Sequence, residues 1–360
     1  MLVLPSDKEG FMRMAIVLAK KGIGKTSPNP MVGAVIVNDG AVVGKGFHHK
    51  RGKTHAEVNA LQEAGAKAKG ADIYINLEPC NHIGMTPPCT EKLIDRGIAR
   101  AFIGMQDPNP VVSGKGIERL RDAGIEVEVG LLDDKCKRLN EAYIKYITTK
   151  TPFVTLKLAS TLDGKIATFS GESRWITSTD SRKKVHKIRK LVDAIMIGVG
   201  TVLRDDPELT ARPSHRSLKT ARGKHPHRII VDSKLRTPLK AKVLKQVPGS
   251  RIYIATTYKA PLKTVEKMRA LGVNILFLPL LKDGVDLTKL MVELGRLEIV
   301  DLLIEGGTKL ATSAVKMGVV DKLSLFFAPK ILGGTKSVPM FLDLGVDSLA
   351  NSFHLEEMRA

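Results

Sequence analysis

Four residues in the first third of the chain have the types and spacing for metal-assisted hydrolysis. His55-Ala56-Glu57 is followed, after one strand-like run, by Pro79-Cys80, and eight residues separate Cys80 from Cys89. A thiolate pair with an imidazole suits zinc and leaves the fourth tetrahedral position open to water. Zinc brings the pKa of bound water towards about 7. Glu57, two residues from a ligand, can stand beside that water without binding metal, taking its proton and delivering it to a ring nitrogen and a leaving ammonia. His55 is expected to open one helix and Cys89 to lie in the first turn of another, so that both positive helix ends favour thiolate and hydroxide. A structural zinc is the competing reading; it needs a fourth protein ligand, for which His82, between the cysteines, is the obvious candidate. Cys136, alone on a charged helix, reads as a bystander.

The elements that must hold these residues alternate. Ser6-Asp7-Lys8-Glu9 reads as a capping box before a helix running to about Lys21. MVGAVIVNDGAVVGKGF is a hairpin around Asn38-Asp39-Gly40. A helix from His55, the apolar run ADIYINL, a helix from about Cys89, the run ARAFIGM, a helix to Ala123 and the run IEVEVG follow. The segment from Asp133 to about Tyr146 reads as one closing helix, and TTKTP, residues 148–152, as a linker. Strands alternating with helices predict a parallel or mixed sheet covered on both faces. The pattern then restarts: FVTLKLAS, DAIMIGV, RIIVD, RIYIAT, VNILFLP, VDLLIEG and KLSLFFAP are strand candidates of a second α/β domain. The domains are expected at 1–147 and 152–360. A length of 360 residues fits two cores better than one.

Bulk properties narrow the setting. No apolar run is long enough for a membrane span, and the N-terminus lacks a secretory layout. Three cysteines are too few for a disulfide framework, which points to the reducing cytoplasm. The formal charge of +20 favours anionic partners. Aromatic residues make up only 4%, thin for the stacking platforms of single-stranded nucleic-acid binders. The basic stretch RPSHRSLKTARGKHPHR, from Arg212 to Arg228, reads as a solvated surface loop before a binding one.

The H-x-E…P-C…C arrangement is that of zinc-dependent nucleobase deaminases. Thr26-Ser27-Pro28-Asn29-Pro30-Met31-Val32-Gly33, His55-Ala56-Glu57 and PCNHIGMTPPC together resemble the deaminase half of the bifunctional riboflavin-biosynthesis deaminase/reductase family. Relatives acting on tRNA, cytidine or guanine typically have two residues between the cysteines; the longer spacing marks the riboflavin branch. LKLASTLDGKIA, SGESRWITS and GVGTVLRDDPELTAR resemble the family's reductase half, in order, so the likeness spans nearly the whole chain. The resemblance implies a cytidine-deaminase-like α/β/α sandwich followed by a dihydrofolate-reductase-like domain. It implies a diaminopyrimidinone substrate bearing a phosphoribosylamino group, deaminated first and then reduced at its ribosyl chain with hydride from NADPH, by a homo-oligomer that needs no nucleic acid. By the family pattern Asn29 would bond the ring, with His48, His82, Asp107 and Asn109 around the sugar phosphate. Met85 departs from the Lys or Arg usual at its place, so Lys50, Arg51 or Lys53 would have to supply the cation.

In the second half, Gly198-Val199-Gly200 is only a fragment of a dinucleotide fingerprint. Glu305-Gly306-Gly307-Thr308 is better placed, ending a strand and opening a helix whose free N–H groups can hold a phosphate. The resemblance puts Ala159, Trp175, Thr201, Asp205 and the turn Gly306, Gly307, Thr308, Lys309, Leu310, Ala311 and Thr312 on NADPH. It puts Lys157, Ser173, Arg189, Leu209, Arg212 and Glu305 on the substrate. Arg189 and Arg212 make sense as a bidentate phosphate clamp. No residue stands out as general acid for the reduction; Asp205 is one candidate. The family usually continues about one strand beyond NSFHLEEMRA. Two rival readings remain: a nucleic-acid deaminase, suggested by the charge, and a second domain that binds nucleotide without reducing anything, suggested by the short tail.

Overall fold

The computed structural model describes residues 7–82, 87–173, 176–211, 225–282 and 284–359. Met85, Trp175 and Arg212, singled out above, lie outside the described residues, as do Ser6 and most of the basic stretch that begins at Arg212. The chain divides into two compact units, Met1–Phe153 with Gly295–Val300, and Val154–Leu294 with Asp301–Ala360.

The first unit runs α1 (Lys8–Ala19), β1 (Gly33–Asn38), β2 (Ala41–Phe47), α2 (Ala56–Ala64), β3 (Asp72–Ile75), α3 (Cys89–Asp95), β4 (Arg100–Ile103), α4 (Lys115–Asp122), β5 (Glu126–Val129), α5 (Asp133–Leu139) and α6 (Glu141–Thr149). Its sheet has the order β2-β1-β3-β4-β5. The hairpin β1–β2 is antiparallel, as expected from Asn38-Asp39-Gly40, and β3, β4 and β5 run parallel. Alternation along β1 sorts side chains to opposite faces. Ala34 and Ile36 join Ala60, Leu61, Leu93 and Leu120 on one side, while Val35 and Val37 join Phe11, Met12, Ala15 and Cys136 on the other. Helices thus cover both faces, giving a three-layer α/β/α sandwich.

Local chemistry altered two expected boundaries. The cap of α1 is Asp7, whose Oδ1 accepts the Gly10 N–H at 2.5 Å. The single closing helix is instead two, because Asn140 leaves the helical path to bond the backbone of Met31. Its Oδ1 accepts the Met31 N–H at 2.8 Å and its Nδ2 donates to the Met31 carbonyl at 3.0 Å. Asn76 donates to that carbonyl too, at 3.0 Å, so two asparagines fix the loop that carries Asn29. Helix α6 then runs through Thr148 and Thr149, shortening the linker expected from Thr148 onward.

The second unit is built on β6 (Phe153–Thr161), β7 (Lys165–Ala167), α7 (Thr179–Leu191), β8 (Ala194–Gly198), α8 (Val199–Asp205), β9 (His227–Val231), β10 (Ile252–Thr256), α9 (Leu262–Ala270), β11 (Asn274–Phe277), β12 (Leu280–Leu281), β13 (Gly284–Val285), α10 (Leu287–Arg296), β14 (Asp301–Glu305), α11 (Thr308–Lys316), β15 (Lys322–Ala328) and β16 (Val338–Pro339). The seven apolar runs of the sequence are the seven strands of one sheet, ordered β11-β10-β9-β8-β14-β6-β15. Pairings from β11 through β14, and that of β6 with β15, are parallel. The central strands β8, β9, β10 and β14 are buried along nearly their whole length and read as near-continuous apolar runs, whereas β6 alternates and β15 is largely exposed. Parallel strands also bring their carboxyl ends to one edge, where open α/β sheets bind ligands.

Candidate functional site

In the first unit His55 is the N-cap of α2, in extended backbone, and Glu57 lies in that helix's first turn. Asn59, one turn on, anchors α2 to the end of β2 by donating to the Phe47 carbonyl at 2.9 Å. Cys89 opens α3 directly after Pro88, as expected. These elements bring His55, Cys80 and Cys89 together, with their donor atoms all within 4.8 Å of one another. His55 Nδ1 stands 3.2 Å from Cys89 Sγ and 3.6 Å from Cys80 Sγ. Tetrahedral zinc with ordinary bond lengths places N and S ligands about 3.6 Å apart, so the donor set fits that ion. Among the described residues the group stops at three ligands. His82, the candidate for a fourth, is exposed and not part of it.

Glu57 is 2% exposed, and its Oε2 has no hydrogen-bond partner among the described residues. Burial raises its carboxyl above the usual range, and the Cys80 sulfur adds to the shift. A buried acceptor without a partner is costly unless something else occupies its lone pairs. The hydrogen bond between Cys80 and Cys89 holds the Cys80 thiol well below the usual thiol range, with the His55 imidazole helping, and Cys89 is pushed up in return.

The expected substrate residues fall into three groups. His48 is buried, with Nδ1 3.2 Å from the Thr54 carbonyl and Nε2 3.3 Å from Asn29 Nδ2. Burial lowers its pKa, so the neutral ring donates from Nδ1 and accepts from Asn29. Its ring meets that of His55 edge-on at 5.4 Å, which puts Asn29 and His48 beside the ligand group. Asp107, by contrast, is turned inward: Oδ1 accepts the Tyr143 hydroxyl and the Asn109 N–H, both at 2.9 Å. Asp107 therefore fixes the turn that presents Asn109. Arg51 is held by Glu298 through two bonds, 2.7 and 2.9 Å, and is not a free substitute for the cation missing at Met85. Lys50 and Lys53 carry no such pair among the described residues.

In the second unit a cavity of about 1300 Å³ opens along the carboxyl ends of the strands. Lys157, Ala159, Ser173, Arg189, Thr201, Asp205, Leu209, Glu305 and residues Gly306 to Leu310 all line it. Ala311 and Thr312 do not; both are buried behind the turn, where Thr312 Oγ1 donates to the Thr308 carbonyl and accepts the Leu342 N–H. Gly306 and Gly307 have φ of 67° and 78°, and a Cβ on Gly307 would stand 3.1 Å from Thr201 Oγ1. The turn favours glycine for its conformation, and it opens α11 at the cavity wall. Leu209, at φ 52°, is also in the left-handed region, which a residue with a side chain adopts at some cost.

Arg189 departs from the expected clamp. Its Nε and Nη2 donate to the two oxygens of Glu305 at 2.6 and 2.8 Å. Two of its nitrogens thus meet a carboxylate while Nη1 donates to the Thr210 carbonyl at 3.4 Å, and both residues line the cavity. Burial works to raise the Glu305 carboxyl, but Arg189 and then Lys157 bring it below its usual value. Burial depresses the Lys157 ammonium, with Glu305 opposing the shift. Ser233 and Arg236, which sequence reasoning missed, line the same cavity. Their signal was positional: they directly follow an apolar strand in a parallel array.

Comparison with known proteins fits this geometry. Residues 5–105 match the cytidine and deoxycytidylate deaminase zinc-binding region, and residues 152–360 match the RibD C-terminal domain. The chain is 46% identical over 353 residues to the riboflavin biosynthesis protein RibD of Aquifex aeolicus, covering 98% of this chain and 94% of that one. The chain belongs to the RibD family. The RibD of Escherichia coli is 41% identical over 363 residues, covering 98% and 96% of the two chains. A solved RibD of Acinetobacter baumannii superposes with a TM-score of 0.85 at 38% identity, over 96% of this chain and 93% of that one. A deaminase/reductase structure from Thermotoga maritima gives 0.80 at 38% identity, over 96% and 92%. This RibD-family chain is therefore a bifunctional enzyme of riboflavin biosynthesis, with a zinc-dependent deaminase in a cytidine-deaminase-like sandwich and a dihydrofolate-reductase-like reductase. No helix among the described residues is long and apolar enough to cross a membrane.

Proposed function

We propose that residues 1–147 deaminate a diaminopyrimidinone carrying a phosphoribosylamino group, and that residues 152–360 then reduce its ribosyl chain to ribityl with NADPH. The observation that carries the first half is the unpartnered Glu57 Oε2 beside a group of three metal donors. His55, Cys80 and Cys89 would hold zinc, which when bound supplies a Lewis acid that acidifies water. Glu57 takes the proton of the attacking water, gives it to the ring nitrogen, and carries a proton to the departing ammonia. The carboxyl is poised for both directions because burial has moved it upward. Asn29, steadied by neutral His48, bonds the pyrimidine ring. Asn109, held in its turn by Asp107, faces the sugar phosphate with His82, and Lys50 and Lys53 supply the charge that Met85 cannot.

For the second half, the N-terminus of α11 and the Gly306–Gly307 turn hold the cofactor's phosphates, with Ala159, Trp175, Thr201, Asp205 and Lys309 along the rest of it. NADPH supplies the hydride. Lys157, Ser173, Leu209 and Glu305 orient the ribosyl chain, and Arg212 takes the phosphate, while Arg189 serves by fixing Glu305. Asp205 is the proton donor this reading names. The reading includes a cytoplasmic homo-oligomer acting on small molecules; the three cysteines, all unpaired, fit a reducing compartment.

The test is to supply the phosphoribosylamino-pyrimidine with and without NADPH, following ammonia release and loss of reduced cofactor separately. Ammonia should appear in both samples, and NADPH should be oxidised only after it. Ammonia without NADPH oxidation would leave the second unit as a nucleotide binder. Absence of both signals would overturn the substrate.

A further inference from the structure

Glu78 stands two residues before Cys80, at 3% exposure, with no ion pair among the described residues. Its partners are four backbone N–H groups. Oε2 accepts from Asp107 at 3.1 Å and Gly114 at 3.0 Å, and Oε1 accepts from Gly116 at 2.9 Å and Ile117 at 3.3 Å. Gly116 and Ile117 lie in the first turn of α4, where an anion complements the helix dipole. One carboxylate therefore gathers the start of α4 and the segment leading into it. Its own N–H donates to the Met105 carbonyl at 2.9 Å, which closes the connection to the end of β4.

This cluster bears directly on Cys80. The Pro79–Cys80 turn rests on α4 so closely that a Cβ on Gly116 would stand 2.1 Å from the Pro79 carbonyl oxygen. Asn81, just after Cys80, donates to the Lys115 carbonyl at 3.3 Å and accepts from Thr90 Oγ1 at 2.9 Å. Thr90, next to Cys89, donates its N–H to the Cys80 carbonyl at 3.3 Å. The segment carrying Cys80 is held to α4 on one side and to the helix of Cys89 on the other. The α4 side of that grip depends on Glu78.

We propose that Glu78 is a positioning residue of the metal centre: by binding four amides it fixes Cys80 Sγ relative to His55 and Cys89, and so sets zinc affinity and ligand geometry without touching metal or substrate. The inference rests on the zinc reading above. A neutral glutamine offers one acceptor oxygen and points an amide donor at N–H groups, whereas alanine offers nothing.

The experiment compares the full chain with Glu78→Gln, Glu78→Ala and Leu120→Ala. The last opens a cavity in the buried face of the same helix, α4, without disturbing the amide cluster. Zinc affinity is read by chelator competition, and geometry by the visible spectrum of the cobalt-substituted protein. Losing partners behind a metal ligand typically costs about 10- to 100-fold in affinity. Glu78→Gln is expected near the lower end and Glu78→Ala near the upper, with the cobalt bands altered in both. Leu120→Ala should lower the melting temperature and leave zinc affinity and the cobalt spectrum as they were. Equal loss of affinity in Leu120→Ala, or affinity and spectrum unchanged in Glu78→Gln, would overturn the positioning role. A parent chain that binds neither zinc nor cobalt would instead remove the metal reading beneath it. Should Glu78→Ala fail to fold, the glutamine variant and its cobalt spectrum decide the matter.

Discussion

In the first unit the chemistry belongs to side chains gathered tightly, three donor atoms within 4.8 Å of one another and a buried carboxylate beside them. In the second it is spread along a cavity of about 1300 Å³ whose lining comes from the ends of β6, β8, β9 and β14 and from a bare glycine turn. A metal site needs particular atoms at particular distances, so few substitutions preserve it. A cofactor site needs a shaped surface and free N–H groups, which many sequences can supply. The first unit should therefore fail sharply at single residues, whereas the second should fail by losing support.

The sharpest break is Glu57→Gln. It should lower deamination by about 10²- to 10⁴-fold, the usual worth of a positioned proton carrier. Zinc content and NADPH oxidation with pre-deaminated substrate should both persist. Metal analysis alongside the two assays checks this, and deamination near the parent rate would remove Glu57 from the mechanism. Next comes Glu305→Gln, which strands the Arg189 guanidinium in the cavity wall. Breaking a fully buried pair from one side costs roughly 3–5 kcal/mol, and this one, with side chains 17% and 12% exposed, should cost less. Denaturant unfolding should show the second unit weakened and reduction lost, with zinc affinity in the first unit unmoved.

The smallest expected effect is a pH dependence. Burial depresses the Lys157 ammonium in the folded chain, while an unfolded lysine titrates near about 10.4. Between those two pKa values the unfolded chain binds more protons, so stability rises with pH through that window. Below it the cost of the buried charge is fully present. Lys157→Met should flatten the rise and raise stability at neutral pH, measurable as melting temperature against pH. A rise unchanged in the variant would assign it to another group.

The same contrast governs what could be read in advance. His55, Glu57, Cys80 and Cys89 were legible because their types and spacing allow little besides a metal and a proton carrier. The central strands β8, β9, β10 and β14 of the second sheet were legible because burial on both faces leaves an apolar run. Arg189 was expected at a phosphate; a guanidinium suits phosphate and carboxylate equally, and no local pattern announces that Glu305, 116 positions away, pairs with it. That Asp107 also receives the Tyr143 hydroxyl, 36 positions away, was not legible, since no local pattern announces that partner. Glu78 gave no signal, since backbone amides leave no mark in a sequence. Asn140 broke a helix that its neighbours favoured because Met31, 109 residues earlier, offered both of its backbone groups.

What the sequence determined was the inventory: three metal donors with a carboxylate two residues from one of them, an alternation of strands and helices repeated in two domains, and a glycine turn opening a helix. What only the tertiary structure decided was pairing, meaning which carboxylate meets which cation, which oxygen is left without a partner, and which amides hold a ligand in place. Residue types and short-range periodicity fix the first. The second depends on contacts between distant segments, whose energies are set by distance and burial.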